Sequence, residues 1–571
     1  MQAPRLDFVL LWHMHQPDYR DYATGEFTLP WVYLHALKDY SDMAAYLEAH
    51  PGMHAVVNFV PILLDQIEDY AEQLASGNLR DPLLRLLARE NLDDLSAAER
   101  RLVLDSCWHA NHVRMIEPFP VYRTLKQIFS LVEAQGEGAL SYLSGQYLAD
   151  LLTWYHLAWT GETVRRNNAL VPQLLAKAER FTHADRRALL HLIRDTICGL
   201  IPRYRKLAEN GRVELSSTPH FHPLAPLLID FGTARAALTD AALPASPCYP
   251  GGRSRVAFHV ESAIASHSAR FGHAPRGLWP AEGAVSQPVL EEFADQGVRW
   301  IASGEGVLGN SLRRSGHEVG NKLEWLYRPW RVTGPGSDVA CFFRDDRLSD
   351  LIGFEYCRWH GADAAAHFVG ELEAIARSRQ EGEAPIVAVI LDGENAWEFY
   401  PYNGYYFLTE LYGRLEAHPF IRTTTFGKWL DEAPRPGRPR AAAGRLPGLV
   451  AGSWVYGNLS TWIGATEKNH AWDLLAQAKQ SYDLVMASGR LTEREQDAAS
   501  VQLASCESSD WFWWFGDYNP AHSVASFDRL FRQNLAHLYR LLQLPVPDVL
   551  SHPVSVGGGS PEAGGAMRRS S

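Results

Sequence analysis

The chain has 571 residues, long for one minimal domain and suited to two or three, with 46% hydrophobic and 21% charged residues, the balance of an ordinary globular enzyme. Its formal net charge of −12 offers no footprint for a phosphate backbone, which sets nucleic acid aside as a partner and leaves neutral or cationic substrates. No stretch of about 18 apolar residues exists to span a membrane, and the N-terminus lacks a basic stretch followed by a long apolar one, so the expected location is the cytoplasm.

The first predicted element is a buried strand at Phe8-Val9-Leu10-Leu11-Trp12, running into His13-Met14-His15-Gln16-Pro17. Ala55–Phe59 reads as a second strand, and helical patterns dominate from Pro61 to Trp159. A long helix is expected over Ala184–Asn210, stopped by Gly211, where a residue with positive φ is wanted. Strand-like Arg212–Ser216 and a helix over Ser254–Phe271 follow. Further strands are expected at Gly277–Trp279, Arg299–Ala302, Val339–Phe343 and Ile386–Leu391, with helices near 286–296 and 362–379. Strands alternating with helices imply parallel βαβ units. The signature polar residues sit just past the strands, where the catalytic rim of a β/α barrel lies. The expectation is an α/β fold, a somewhat irregular β/α barrel of seven or eight strands over 1–430. A proline- and arginine-rich linker over 431–447 leads to a helical accessory domain over 448–550, and 551–571 is expected to be an unstructured tail.

Six scattered cysteines without a CxxC pair read as reduced, mostly buried thiols. Eighteen tryptophans and 23 tyrosines are many. Large aromatic cores account for most such rings, and the excess also suits a protein that stacks on sugars.

Two acidic segments stand out. Gly277-Leu278-Trp279-Pro280-Ala281-Glu282-Gly283 places Glu282 after a stiff Trp-Pro approach and before a permissive glycine. Rigid placement suits a nucleophile, whereas a position near a helix N-terminus is the bland alternative. Asp392 closes the apolar run Ile386–Leu391 in Leu391-Asp392-Gly393-Glu394-Asn395. Desolvation there raises a carboxyl toward what a general acid needs. An Asp-Gly turn reads equally well, and Glu394 competes for the acid role. A carboxyl pair at a barrel mouth is the equipment of glycosidic bond cleavage.

Three other segments are candidates. His13 and His15 share a strand face, a pattern that suits sugar hydroxyls, a divalent metal or plain structure equally. Glu214, with His220 and His222 downstream, is a substrate contact or a surface strand residue. In Ser508-Ser509-Asp510-Trp511-Phe512-Trp513-Trp514-Phe515, the consecutive rings cannot all enter one helix face, so some meet another domain or a sugar.

These segments, in order, resemble the five short motifs of the family 57 glycoside hydrolases: His15-Gln16-Pro17, Gly211 to Pro223, Gly277 to Glu282, Leu391 to Asn395, and Glu507 to Trp514. The flanks Pro30-Trp31-Val32-Tyr33-Leu34-His35, Asn58-Phe59-Val60-Pro61 and Phe343-Arg344-Asp345-Asp346-Arg347-Leu348-Ser349-Asp350 look like the α-amylase and amylopullulanase branch. The resemblance implies an incomplete, irregular (β/α)7 barrel with a C-terminal helical domain completing the site, and a retaining hydrolase of α-1,4 and also α-1,6 bonds in starch- or glycogen-type α-glucans, with Glu282 as nucleophile and Asp392 as acid/base. It places His13, His15, Glu214, His222, Trp279, Arg344, Asp510 and Trp511 around the sugar, with no metal and no cofactor. Ala281 departs from the serine of many relatives. The rival expectations are a 4-α-glucanotransferase or branching enzyme on the same substrates, a metal-dependent barrel hydrolase using His13 and His15, and a glycogen-binding protein without activity. Oligomeric state is not legible.

Overall fold

The computed structural model describes residues 6–378, 384–433 and 441–559. Ten strands share one sheet. They are β1 (Leu6–Met14), β2 (Ala55–Phe59), β3 (Val213–Ser217), β4 (Gly277–Leu278), β5 (Trp300–Ser303), β6 (Trp330–Val332), β7 (Ala340–Phe343), β8 (Ile386–Asp392), β9 (Ile421–Thr423) and β10 (Gly444–Leu446). Strands β8, β1, β2, β3, β4, β5 and β7 are neighbours in that order, and all their pairings are parallel. Just past β7, Arg344 bridges Ala388 of β8, and the Asp345 amide donates to the Ala388 carbonyl at 2.8 Å, closing the ring at its upper end. The result is an irregular barrel of seven parallel strands with a helical region after it, as the strand–helix alternation implies.

Three strands escape the sequence reading. β6 runs antiparallel to β7, β10 lies beside β6, and β9 pairs with the first three residues of β1. Each has only three residues, too few for a periodicity to register. β10 also corrects the linker. Positions 434–440 lie outside the described residues, but Gly444–Leu446 is a sheet strand, held because its backbone finds partners on Trp330–Val332.

The barrel lumen follows the period of two. Val9, Leu11, Val56, Ile386, Ala388 and Ile390 point inward and form one buried cluster with Trp279, Trp300, Phe342, Phe426 and Trp429. Phe426 and Trp429, on the helix Phe426–Asp431, plug the lower end. One step higher the inward residues turn polar. The register aligns Asp392 with His13, His13 with Asn58, and Asn58 with Ser216. That polar layer is the floor of the open end.

Helices His183–Glu209 and Gly252–Phe271 match their expected extents, the second ending on the left-handed Gly272. Thr182 and Asp185 form a reciprocal cap at the start of the first. Beyond β10 come the helices Thr466–Ala487, Glu493–Cys506 and Ala521–Leu541, with the short Asp510–Trp514 between the last two. Among the described residues no helix is long and apolar enough to cross a membrane.

The expected tail needs correcting for 551–559. Val554 and Ser555 are buried, and both their amides donate to the Asp528 carboxylate. The Ser555 hydroxyl donates to Glu467 and accepts from the Gly516 amide. Composition missed this because one buried valine, Val554, and a few backbone hydrogen bonds dock the segment, too little apolar content to stand out in a Gly/Ser-rich stretch. Residues 560–571 lie outside the described ones.

Candidate active site

Several strands deliver a polar group at the open mouth. β1 carries His13 one residue before its end at Met14 and passes to His15, and β8 ends in Asp392. β3 leads to His222, whose φ of 59° is left-handed, and β4 leads through Trp279 and Pro280 to Glu282.

Glu282 sits in the 3-10 turn Ala281–Gly283 with φ 57° and ψ 23°, a conformation few residues other than glycine adopt. The helix after it starts only at Gln287, so Glu282 is not part of a helix N-terminus. At Gly283, φ is also positive, and a Cβ would lie 2.8 Å from the Trp279 ring. The turn is therefore shaped around that indole. The Glu282 Oε2 accepts a 3.0 Å bond from the Trp454 indole N–H, and its carbonyl accepts from the Trp454 amide. Trp454 belongs to the segment after the expected linker, which reaches back over the mouth through the bridge between Gly452 and Val285. The Arg344 guanidinium lies 5.0 Å from the centre of the Trp454 ring.

Asp392 meets a different environment. Burial pushes its carboxyl up to about 6, although the Asn395 amide at 3.0 Å and the charges of His15 and Arg344 oppose the rise. Glu394 is driven well above the usual carboxylate range, by burial first and then by Asp392 and Asp39. It is nearly inaccessible, at 2% exposure, whereas Asp392 is partly exposed.

The histidines form a stack. The rings of His15 and His222 are 3.8 Å apart, and His13 lies 5.3 Å from His222. The Asn58 Oδ1 accepts from the Thr218 hydroxyl, while its amide donates to Ser216. The His13 Nδ1, 2.7 Å from that oxygen, therefore carries a proton and donates it. Burial, then the neighbouring His15, pushes His13 down to about 3, so it is neutral. His222 is depressed well below the ordinary histidine value by burial, then by His15 and His13. The Nδ1 of His222 lies 2.8 Å from the Ser509 hydroxyl, and the Nε2 of His15 lies 3.0 Å from both Asp510 oxygens.

Residues 507–510 thus carry the helical region into the barrel mouth. Beneath them Glu507 is fully buried against Arg255, His259 and Tyr249. Burial alone would raise its carboxyl, but Arg255 and His259 outweigh it and hold it down at about 2. A buried charge paired on three sides fixes where Ser508, Ser509 and Asp510 sit.

The structure brings together Glu282, Asp392, His13, His15, His222, Trp279 and Asp510. Three other expected residues fall elsewhere. Glu214 is the second residue of β3, so it enters the lumen at the lower end, where it accepts from the Trp300 indole and the Gly427 amide, both at 2.7 Å. Trp511 is fully buried, with Phe527 and Phe531 against its ring and its N–H on the Ser505 carbonyl. It is core of the helical region, not a sugar platform, because its short helix turns that face inward. Arg344 spends its guanidinium on Asp346 and the Ile390 carbonyl, where it closes the barrel and backs Trp454. Trp279 stays at the mouth but is fully buried, a wall beside His13 and Trp454 rather than an open face. Sequence reasoning missed Trp454, which no motif or periodicity marks, and the positioning role of Asn58, visible only as the one polar residue in Ala55–Phe59.

Residues 9–439 match the model of glycosyl hydrolase family 57. No protein of curated function matches the sequence. Among solved structures, the chain is similar to a family 57 branching enzyme from Thermococcus kodakaraensis, with a TM-score of 0.56, 16% identity, and coverage of 95% of this chain and 90% of that one. A branching enzyme from Pyrococcus horikoshii gives 0.54 at 14% identity, over 99% of this chain and 100% of that one. An α-amylase from Thermotoga maritima gives 0.56 at 14% identity, over 94% and 93%. At these identities the likeness establishes the shared fold.

Proposed function

The chain belongs to glycosyl hydrolase family 57, and from that premise we propose that it is a retaining enzyme cleaving α-1,4-glucosidic bonds of starch- or glycogen-type α-glucans. The observation that carries the reading is the contrast between two carboxyls at one barrel mouth. Asp392 is held near 6 by burial, so it keeps a proton to give. Glu282 is locked in a left-handed turn and receives an indole N–H. In the first step the Glu282 carboxylate attacks the anomeric carbon, the glycosidic C–O bond breaks, and the Asp392 proton goes to the departing oxygen. In the second step Asp392 takes a proton from water, whose oxygen attacks the same carbon and releases Glu282. His13, His15, His222 and Asp510 bind sugar hydroxyls in this scheme.

The helical region positions Asp510 and Ser509 at the mouth, so 448–550 is proposed as a structural partner in the site rather than a separate module. Transfer to a sugar hydroxyl, as in a glucanotransferase or branching enzyme, uses the same two carboxyls. It differs only in what reaches the glycosyl-enzyme. A metal-dependent hydrolase built on His13 and His15 is the less favoured reading, because the group of described residues whose ligand atoms converge is His15, His222 and Asp510, which leaves His13 out.

The test is early-time NMR of the product anomer from maltooligosaccharides, with product analysis on amylose and pullulan. An α-anomer as first product is expected. A β-anomer would overturn the nucleophile assignment, and chain-lengthened or branched products would replace hydrolysis by transfer.

A further inference from the structure

At the mouth, His15, His222 and Asp510 offer one ligand atom each, and these atoms lie within 4.8 Å of one another. They come from three remote parts of the chain, the ends of β1 and β3 and the helix Asp510–Trp514. We propose that they form a binding site for a zinc-class divalent cation, and that a cation held there blocks the glucan. The second half of this proposal rests on the function proposed above.

The donor set is two imidazoles and a carboxylate, which suits zinc and cobalt rather than calcium or magnesium, whose preferred ligands are all oxygen. Tetrahedral zinc with bonds of about 2.0–2.1 Å sets its ligand atoms roughly 3.3 Å apart. Small side-chain rotations close the observed spacing to that. The outer partners of a ligand set are present as well. Ser509 lies on the Nδ1 of His222, and when that nitrogen donates, Nε2 presents its lone pair. The Nε2 of His222 is buried and has no hydrogen-bond partner among the described residues, nor has the Nδ1 of His15. The Ser508 hydroxyl donates to Asp510 Oδ2 at 2.6 Å, leaving Oδ1 for a cation.

The exchange balances simply. The His15 N–H that faces the Asp510 oxygens moves to the partnerless Nδ1 as the imidazole changes tautomer, and the freed Nε2 lone pair and the carboxylate take the cation between them. No bond of a substrate is made or broken. Three of the four groups proposed to meet sugar hydroxyls are then coordinated, so cation and glucan compete for one place.

The experiment uses the full chain after exhaustive chelation. Cobalt(II) is titrated while its visible tetrahedral absorption is recorded, zinc is used to displace it, and maltohexaose is then added. One equivalent of cobalt is expected, displaced by zinc and by the sugar. His222→Asn keeps a residue tolerant of left-handed φ and should lose the band, as should Asp510→Asn. Ser509→Ala keeps all three ligands and should weaken zinc about tenfold. On the unsubstituted chain zinc should raise KM without lowering kcat. A band unchanged in both ligand variants, or no stoichiometric binding, overturns the site. Turnover that needs added zinc overturns the block. A cobalt band at the trio in a chain inactive on α-glucans would uphold the site and fail the function instead.

Discussion

The indole N–H of Trp454 donates to Oε2 of Glu282 at 3.0 Å, joining two residues 172 positions apart. The same tryptophan carries the Arg344 guanidinium on its ring and returns a backbone bond to the Glu282 carbonyl. One residue from beyond the barrel therefore sets both the main chain and the side chain of the proposed nucleophile.

Trp454→Phe keeps the ring and removes the donor. A hydrogen bond to a charged group contributes about 1.5–3 kcal/mol. Turnover should fall by roughly tenfold or more, with KM little changed, because the lost bond orients the attacking oxygen rather than the sugar. Steady-state kinetics on a maltooligosaccharide checks this. An unchanged kcat would mean the bond only braces the loop.

The raised value of Asp392 has a definite sign for pH. The folded group titrates near 6 and the unfolded one near 3.8, so folding favours the protonated form. That contribution is complete below about pH 4 and is lost as pH rises through 6. Activity that needs the proton should decline above about pH 6. Asp392→Asn should be nearly inactive, yet more stable than the parent by about 1–3 kcal/mol at neutral pH and not at pH 4. Urea unfolding at the two pH values reads it. An equal offset at both would remove Asp392 as the cause.

Glu214→Gln should cost stability and spare catalysis. The carboxylate accepts from the Trp300 and Gly427 donors with different oxygens, and an amide turns an N–H toward one of them. The expected loss is about 1–3 kcal/mol, with kcat/KM unchanged once the folded fraction is allowed for. A fall in kcat/KM with normal melting would return Glu214 to the site.

Trp511→Ala should empty a core position. Loss of a fully buried indole costs about 3–5 kcal/mol, so a large drop in melting temperature is expected. A stable variant with raised KM would instead support the stacking role.

A chain ending at Pro553 should melt below one ending at Gly559. The shorter form loses the Val554 and Ser555 amide bonds to Asp528 and the Ser555 bond to Glu467. Equal melting temperatures would show that these bonds are matched by water.

Most of the barrel is legible in the chain itself, because apolar runs such as Phe8–Trp12 and Ile386–Leu391 are long enough to carry a period and end in polar residues. Local chemistry also singles out Glu282 and Asp392, since a Trp-Pro approach, a following glycine and an apolar strand are all written nearby. Depth is not local. Glu214 has the same inward direction as Asn58 or His13, and only the register of β3 against β2 shows that it lies at the closed end. The direction of Trp511 depends on how its short helix docks. The bond from Trp454 to Glu282 and the trio of His15, His222 and Asp510 exist only because chain from beyond the barrel folds back over its mouth. The sequence by itself determined which residues can do chemistry, through their immediate neighbours. Tertiary structure decided which of them meet, because contacts between distant segments depend on packing that no single segment encodes.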